Sequence, residues 1–171
     1  MDWKKRYTSA EYDDAWERYD DCDIFPITKH YEVDEDAKVF VTGFKRTQET
    51  AKQFLGVDQY EIIESLADEV PLKSYKDSLK RHRRGYMNFR GRLQWYLPSH
   101  RQEERRKATF LRAYELIRFL EQQTDDAVVV MHGFFLRAMC FVLKKSGYHV
   151  SSIPRFRVPN LVVVEAVKRT A

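Results

Sequence analysis

Short apolar runs alternate with longer amphipathic stretches along this chain, which is the pattern of an α/β domain with a mainly parallel sheet. Four runs rich in β-branched or aromatic residues predict strands, at 38–42, 60–63, 127–131 and 161–167. Four stretches with helical spacing predict helices, at 8–20, 46–55, 102–123 and 133–145. We therefore expect a three-layer α/β/α sandwich in which helices cover both faces of the sheet.

The stretch from about 64 to 101 interrupts this alternation and predicts a small helical cap beside the sheet. A length of 171 residues suits one domain, so we expect residues 1–171 to form a single domain with the cap as an insertion. The first helix should begin with a Thr8-x-x-Glu11 capping box. The long helix after the cap has a predicted apolar face, made of Phe110, Leu111, Tyr114, Ile117 and Leu120.

Composition excludes several broad classes of protein. Hydrophobic residues make up 43% and aromatic residues 14% of the chain, which is enough for a core and excludes wholesale disorder. The apolar runs are much shorter than the roughly 18 residues of a membrane span, and no signal peptide follows Met1, so we expect a cytoplasmic protein without a membrane partner. Cys22 and Cys140 lack metal-ligand spacing, and no metal or organic cofactor is expected.

The net charge of +4 conceals an uneven distribution along the chain. Residues 1–36 carry 5 basic and 12 acidic side chains, whereas residues 73–118 carry 14 basic and 4 acidic ones. The basic segment also contains Tyr86, Phe89 and Trp95, and three interpretations stay open. It could bind nucleic acid, form a cap helix with its aromatics on the sheet and its arginines outward, or steer anionic substrates to a site. Of these, we do not expect nucleic acid to be the partner.

Two strand-to-helix junctions carry residues suited to phosphate. Arg46 follows the strand at 38–42, and His132 and Gly133 follow the strand at 127–131. The carboxyl ends of parallel strands meet at one edge of a sheet, where ligands bind and where helix N-termini favour anions. Arg offers a planar fork for phosphate oxygens, His can donate to one, and Gly lets the backbone approach closely. Taken alone, Arg46 at the start of a helix is more typical of a surface charge, and His132 after an apolar strand is more typical of a core or junction histidine.

Three segments, in this order, resemble motifs of the histidine phosphatase superfamily, the phosphoglycerate-mutase-like proteins. Thr42-Gly-Phe-Lys-Arg46-Thr-Gln-Glu-Thr-Ala51 is similar to the family's Ser-Pro-Leu-x-Arg-Ala-x-x-Thr-Ala motif, with Thr42 and Thr47 in place of Ser and Ala. Residues 64–71 resemble the segment that carries the family's acid/base carboxylate. Residues 128–138 resemble its second-histidine motif, in which His-Gly follows an apolar strand.

The resemblance implies phosphoryl transfer through a histidine, by a phosphatase or mutase whose partner is a phosphorylated small molecule or inorganic phosphate. Carried over to this sequence, Arg46 is the phosphate clamp and His132 is the second histidine, with Gly133 beside it in the phosphate site. Glu69 is the expected general acid, and the adjacent Asp68 is the alternative. The resemblance implies no metal or organic cofactor, and it leaves a homodimer open.

The nucleophilic histidine of the family has no counterpart that we can identify. Family members begin with an apolar strand that ends in Arg-His-Gly, whereas this chain opens with Met-Asp-Trp-Lys-Lys-Arg-Tyr. We favour an N-terminally truncated chain, because its first residues already resemble the early helix and loop that would cover the site. The alternative is a member that lost the nucleophile and is an inactive module for a phospho-ligand or nucleic acid. We expect this chain itself to be inactive.

A missing strand also has a structural consequence. In the family the nucleophile's strand lies inside the sheet, beside the strands predicted here at 38–42 and 127–131. Its absence predicts a gap between these two strands, a gap filled by another segment or a partner, or a closed sheet with altered order. The three arrangements differ in which backbone N–H and C=O groups of these two strands form hydrogen bonds.

Overall fold

The computed structural model describes residues 4–20, 22–97, 99–152 and 158–169. The strands in chain order are β1 (Arg6–Tyr7), β2 (Lys38–Val41), β3 (Glu61–Ile62), β4 (His82–Arg83), β5 (Ala127–Val130), β6 (Tyr148–Val150) and β7 (Ala166–Lys168). The helices are α1 (Ser9–Asp20), α2 (Lys45–Thr50), α3 (Arg84–Tyr96), α4 (Arg106–Glu121) and α5 (Gly133–Lys145). A π-helical turn over Ala51–Leu55 continues α2 and ends at Gly56, whose φ of 69° is left-handed.

The chain divides into two compact units. One consists of Met1–Cys22 and Val70–Ala108, and the other of Asp23–Glu69 and Thr109–Ala171. The parallel sheet and the candidate site residues all belong to the second unit. The unit without this sheet combines the N-terminal residues with a stretch that begins at Val70. The single domain with a cap at about 64–101 stays a prediction.

The sheet of the second unit is parallel and has the strand order β3-β2-β5. The N–H of Lys38 donates to the carbonyl of Asp126 at 2.8 Å on one side of β2. On the other side the N–H of Ile63 donates to the carbonyl of Val41 at 2.9 Å. The prediction of an α/β chain with a mainly parallel sheet is therefore confirmed, while the complete three-layer sandwich stays a prediction.

Strand β2 is buried on both of its faces, as is typical of parallel sheets. Val39 and Val41 point to one face and form a buried cluster with Ala51. Phe40 points to the other face, where its fully buried ring meets Phe119 of α4 edge-on at 5.3 Å. This burial fixes the register of β2, because a slip of one residue would exchange the two sets of side chains.

Strands β2 and β5 pair directly over four residues, from Lys38 opposite Ala127 to Val41 opposite Val130. Of the three arrangements that the sequence predicts, the structure therefore has the closed sheet. Within the described residues, β5 is an edge strand of this sheet. Its sequence, Ala-Val-Val-Val, is nevertheless that of a buried interior strand.

The predicted strand at 161–167 begins too early, and only its last two residues lie in a strand. Leu161 lies in a turn with a φ of 56°, and β7 begins only at Ala166. β7 pairs antiparallel with β6 in a separate two-stranded sheet. The continuous apolar run after Asn160 conceals this turn, because an apolar pattern does not reveal the backbone conformation of its first residue.

Helix α4 begins at Arg106 rather than at Gln102. Gln102 is buried instead, and its side-chain amide both donates to the carbonyl of Lys73 and accepts from the Lys73 N–H at 3.0 Å. The predicted apolar face is also rotated, since Leu111 and Tyr114 are exposed. The buried positions of the helix are Thr109, Ala113, Leu116 and Ile117.

The first unit joins α1 to residues that follow much later in the chain. The capping box is confirmed, because the Thr8 N–H donates to Glu11 Oε2 at 2.9 Å and the Glu11 N–H donates to Thr8 Oγ1 at 3.3 Å. The hydroxyl of buried Tyr12 donates to Asn88 Oδ1 at 2.5 Å. Asp13 accepts hydrogen bonds from the backbone N–H and the hydroxyl of Ser74.

Helix α3 of the first unit exposes most of its aromatic side chains. Tyr86, Phe89 and Tyr96 are 47%, 65% and 56% exposed. Arg84 is buried instead, with its guanidinium 5.6 Å from the centre of the Trp16 ring. The interpretation as a cap helix with packed aromatics and outward arginines therefore fits Trp95, which is buried, and Arg90, which is exposed, but not Tyr86, Phe89 or Arg84.

Candidate functional site

The ends of β2 and β5 bring two of the predicted site residues together. The strands are parallel neighbours, so the segments that follow Val41 and Val130 leave the same edge of the sheet. Arg46 lies in the first turn of α2, and His132 is the N-cap residue of α5. Burial, and secondly the charge of Arg46, lower the pKa of His132 from 6.5 to about 3. The imidazole is therefore neutral at neutral pH.

The imidazole of His132 is enclosed by a carboxylate and an aromatic ring. Its side chain is 9% exposed, and Nδ1 lies 3.6 Å from Oε2 of Glu69. The ring of Phe44 meets the imidazole edge-on, with centroids 5.2 Å apart and planes at 89°. Nε2 is buried and has no hydrogen-bond partner within the described part of the chain. A neutral histidine thus faces a carboxylate with one nitrogen, while its other nitrogen is buried and has no hydrogen-bond partner among the described residues.

The segment from Glu64 to Glu69 is a compact turn in which Asp68 and Glu69 have different roles. Ser65 has a left-handed φ of 63°, and its N–H donates to Asp68 Oδ2 at 3.0 Å. The N–H of Leu66 donates to the carbonyl of Glu64 at 2.8 Å. Asp68 therefore closes the turn, while Glu69 is the acid next to His132.

Two buried threonines connect the end of β2 to α2. Oγ1 of Thr42 and Oγ1 of Thr47 are 2.8 Å apart, and both residues are nearly inaccessible to solvent. The Thr47 hydroxyl also lies within hydrogen-bond distance of the carbonyl of Phe44, at 2.8 Å, and the N–H of Phe44 donates to Thr42 Oγ1 at 3.3 Å. This network fixes the turn that carries Phe44 and Arg46.

Sequence reasoning missed this network, although a signal was present. Thr42 and Thr47 are the two positions at which the motif departs from the family's Ser and Ala. Because the two hydroxyls contact each other, the two departures form one buried polar pair rather than two independent substitutions.

Gly133 has a packing role in this structure. A Cβ atom added to it would lie 2.9 Å from Cβ of Val158 and 3.2 Å from its Cγ1. Packing against Val158 is therefore sufficient to explain a glycine at this position, without the close approach of the backbone to phosphate that the sequence suggests. Any larger residue at this position would displace Val158 or the first turn of α5.

The other four histidines of the chain have different surroundings. His82 contacts the rings of Tyr75 and Tyr86, with centroids 5.9 and 5.6 Å away. His100 Nδ1 lies 2.9 Å from a guanidinium nitrogen of Arg105. His30 and His149 are exposed, in a loop and on β6 respectively.

Two further observations on the described part of the chain concern metal binding and membrane spans. No group of three or more His, Cys, Asp or Glu side chains there is arranged to hold a metal ion. No helix among the described residues is both long enough and apolar enough to cross a membrane.

The fold and the site together define an α/β protein with a buried histidine, a carboxylate and an arginine at the carboxyl ends of parallel strands. The sequence model of the histidine phosphatase superfamily (branch 1) matches residues 27–169, and the chain belongs to this superfamily. Neither the comparison with curated proteins nor the comparison with solved structures finds a match. The matched range includes all three segments that carry the resemblance.

Proposed function

We propose that this chain binds a phosphoryl group between Arg46 and His132 and that its chemistry is phosphoryl transfer of the histidine phosphatase type. The substrate class is a phosphorylated small molecule. One observation carries the proposal: His132 is neutral and buried, it lies beside the charge of Arg46, and its Nε2 has no hydrogen-bond partner within the described residues. A buried polar atom in this state calls for a ligand, since leaving it unpaired costs free energy.

The surroundings of His132 determine which of its two ring nitrogens carries the proton. The nearby carboxylate of Glu69 favours the tautomer with the proton on Nδ1, which leaves a lone pair on Nε2. A phosphate oxygen next to Nε2 would be repelled by this lone pair unless the nitrogen gained a proton. The negative charge of the phosphate raises the pKa of His132, so phosphate binding and proton uptake occur together.

Arg46 and Glu69 complete the proposed site. Arg46 supplies a permanent positive charge and a planar set of donors for two phosphoryl oxygens. Glu69 acts as the general acid that protonates the leaving oxygen of the substrate. We assign the attacking histidine to none of the five histidines in this sequence, so the proposal for the chain itself concerns phosphoryl binding. Leaving-group protonation by Glu69 belongs to a site that also has an attacking nucleophile, because the bond to the leaving oxygen breaks only as a new bond to phosphorus forms.

Calorimetric titration with inorganic phosphate and with orthovanadate tests the proposal. Arg46→Gln should weaken binding by about tenfold to a hundredfold, since hydrogen bonds to a charged group are worth roughly 1.5–3 kcal/mol. Lys52→Gln is the matched control, because Lys52 is an exposed cation in the same helical segment. Titrations in buffers of different ionisation enthalpy should also show proton uptake at neutral pH, and His132→Gln should abolish it.

Two results would contradict the proposal. One is the absence of oxyanion binding to the folded chain, and the other is binding that Arg46→Gln and Lys52→Gln weaken equally. Binding without turnover would support the proposed anion site, because a chain without an assigned nucleophile is expected to bind a phosphoryl group without transferring it.

A further inference from the structure

We infer that Arg112 is a positioning residue that holds Glu69 against His132. The chemical role of Glu69 in this inference rests on the proposed function, whereas the geometry does not. Arg112 lies in α4, far along the chain from both of these residues, and it is absent from the three motif segments.

A single nitrogen of Arg112 holds the turn that precedes Glu69. Nη1 donates to the carbonyl of Asp68 at 2.8 Å and to the carbonyl of Ser65 at 3.0 Å, and the carbonyl of Leu66 lies 3.4 Å away. Three carbonyl oxygens that point to one spot repel each other unless a donor with positive charge lies between them. The cation therefore stabilises the conformation of the turn in which Ser65 is left-handed.

The same guanidinium contacts the helix that carries His132. Its Cζ lies 4.2 Å from the ring centre of Phe135, which is within the range of a cation–π contact. Phe135 is fully buried and lies in the first turn of α5, three residues after His132. Arg112 thus connects the segment that ends at Glu69 with the helix that begins after His132.

This double contact explains how a loop carboxylate keeps a defined distance from the imidazole. Glu69 is joined to His132 by one contact of 3.6 Å between Oε2 and Nδ1, which is too long for a strong hydrogen bond. The backbone that carries Glu69 contributes to the position of this carboxylate, and Arg112 holds the carbonyl of the preceding residue. Support of this kind sets the precision of a site.

The first test measures the loop and needs no ligand. Arg112→Met keeps most of the apolar stem but removes every donor, and Arg118→Met removes an exposed arginine from the same helix as the matched control. Amide exchange at residues 65–69 should become about tenfold faster or more in Arg112→Met and stay unchanged in Arg118→Met. Arg112→Lys keeps a cation and should restore part of the protection from exchange. If Arg112→Met does not fold, Arg112→Lys takes its place in both tests.

The second test measures Glu69 through His132. Nitrogen chemical shifts of the imidazole report its tautomer, which the carboxylate of Glu69 biases. Arg112→Met should shift these resonances in the same direction as Glu69→Gln, and the double variant should show no further change. A merely structural role of Arg112 predicts unchanged tautomer populations, or effects that add in the double variant.

The outcomes separate this inference from the proposed function. Unchanged amide exchange at residues 65–69 in Arg112→Met would overturn the positioning role even if phosphate binds. Unchanged tautomer populations of His132 in the same variant would also overturn it. Failure of the wild-type chain to bind phosphate or vanadate, with both spectroscopic effects present, would reject the proposed function and leave the positioning role supported.

Discussion

In the absence of a bound phosphate, a histidine that is neutral in the folded protein takes up its proton when the chain unfolds in mildly acidic solution. The pKa of His132 is about 3 in the folded state, against an ordinary value of 6.5. Between these two values the unfolded state binds more protons than the folded state, so the free energy of unfolding falls as pH falls. The free energy of unfolding falls by up to about 1.4 kcal/mol per pH unit in this range, and His132 does not affect it above neutral pH.

Denaturant unfolding at several pH values measures this effect. We expect the free energy of unfolding to fall more steeply from about pH 7.5 to about pH 4.5 in the wild type than in His132→Gln, which cannot take up this proton. Other titrating groups are common to both proteins and cancel in the comparison. Equal slopes would mean that His132 is protonated or solvated in the folded protein.

The individual site residues differ in how far sequence alone could predict them. Arg46, Glu69 and His132 can be proposed from sequence because each lies in a segment that resembles a family motif. In the structure Glu69 lies 3.6 Å from His132, and the charge of Arg46 acts on the same imidazole. Arg112 could not be found in this way. Its contribution is made through the backbone carbonyls of a distant turn, and no residue pattern records which carbonyls converge.

Strand β5 presents a backbone edge that has no partner strand within the described residues. Successive residues of a strand direct their N–H and C=O groups to alternate sides. The carbonyl of Asp126 accepts from β2, so Val128 and Val130 also direct their backbone groups to β2. Ala127 and Val129 therefore direct theirs to the open side.

Hydrogen exchange in dilute solution should resolve this alternation. We expect the amide of Val129 to exchange about a hundredfold faster or more than those of Val128 and Val130, because an open edge needs no unfolding to exchange. The side chains of all three are half-buried, so burial alone does not predict the difference. Equal protection at the three positions would show that a further segment or a second copy covers the edge.

The success of the element predictions follows the strength of the local pattern. The predicted strands at 38–42 and 127–131 and the predicted helix at 133–145 have continuous apolar or amphipathic character and are confirmed. The antiparallel pair β6-β7 and the two-residue pair β1-β4 were missed, because each is too short to show a period. The predicted start of α4 at Gln102 is too early. The side-chain amide of Gln102 pairs with the backbone of Lys73, and helical spacing in the sequence does not indicate such a long-range hydrogen bond.

Catalytic turnover is a property of the complete site, and this chain lacks an assigned nucleophile. We expect turnover of an aryl phosphate near the background rate without protein, because phosphoryl transfer through a histidine requires an attacking nitrogen in line with the phosphorus. A continuous assay of phenol release measures it. Robust turnover that either His82→Ala or His30→Ala abolishes would show that one of these histidines is the nucleophile, while turnover that survives both would point to another.

The division into two compact units could not be predicted from the sequence. The hydrogen bonds that join α1 to the rest of its unit connect residues 61 and 76 positions apart in the chain. Composition shows no linker at Val70 or Ala108, and the charge change near Lys73 is only a rough indication of the boundary. Long-range pairing of this kind depends on tertiary contacts that no local window contains.

The chain separation within the first unit has a consequence for biosynthesis. Helix α1 has 12 residues, which is too few for a stable helix in water by itself. Its partners Ser74 and Asn88 leave the ribosome only after about 60 to 75 further residues, and at roughly 5–20 residues per second this takes several seconds. During that interval the acidic, aromatic α1 segment remains unfolded and accessible to chaperones and proteases, while the residues that form β2 and α2 are already being synthesised.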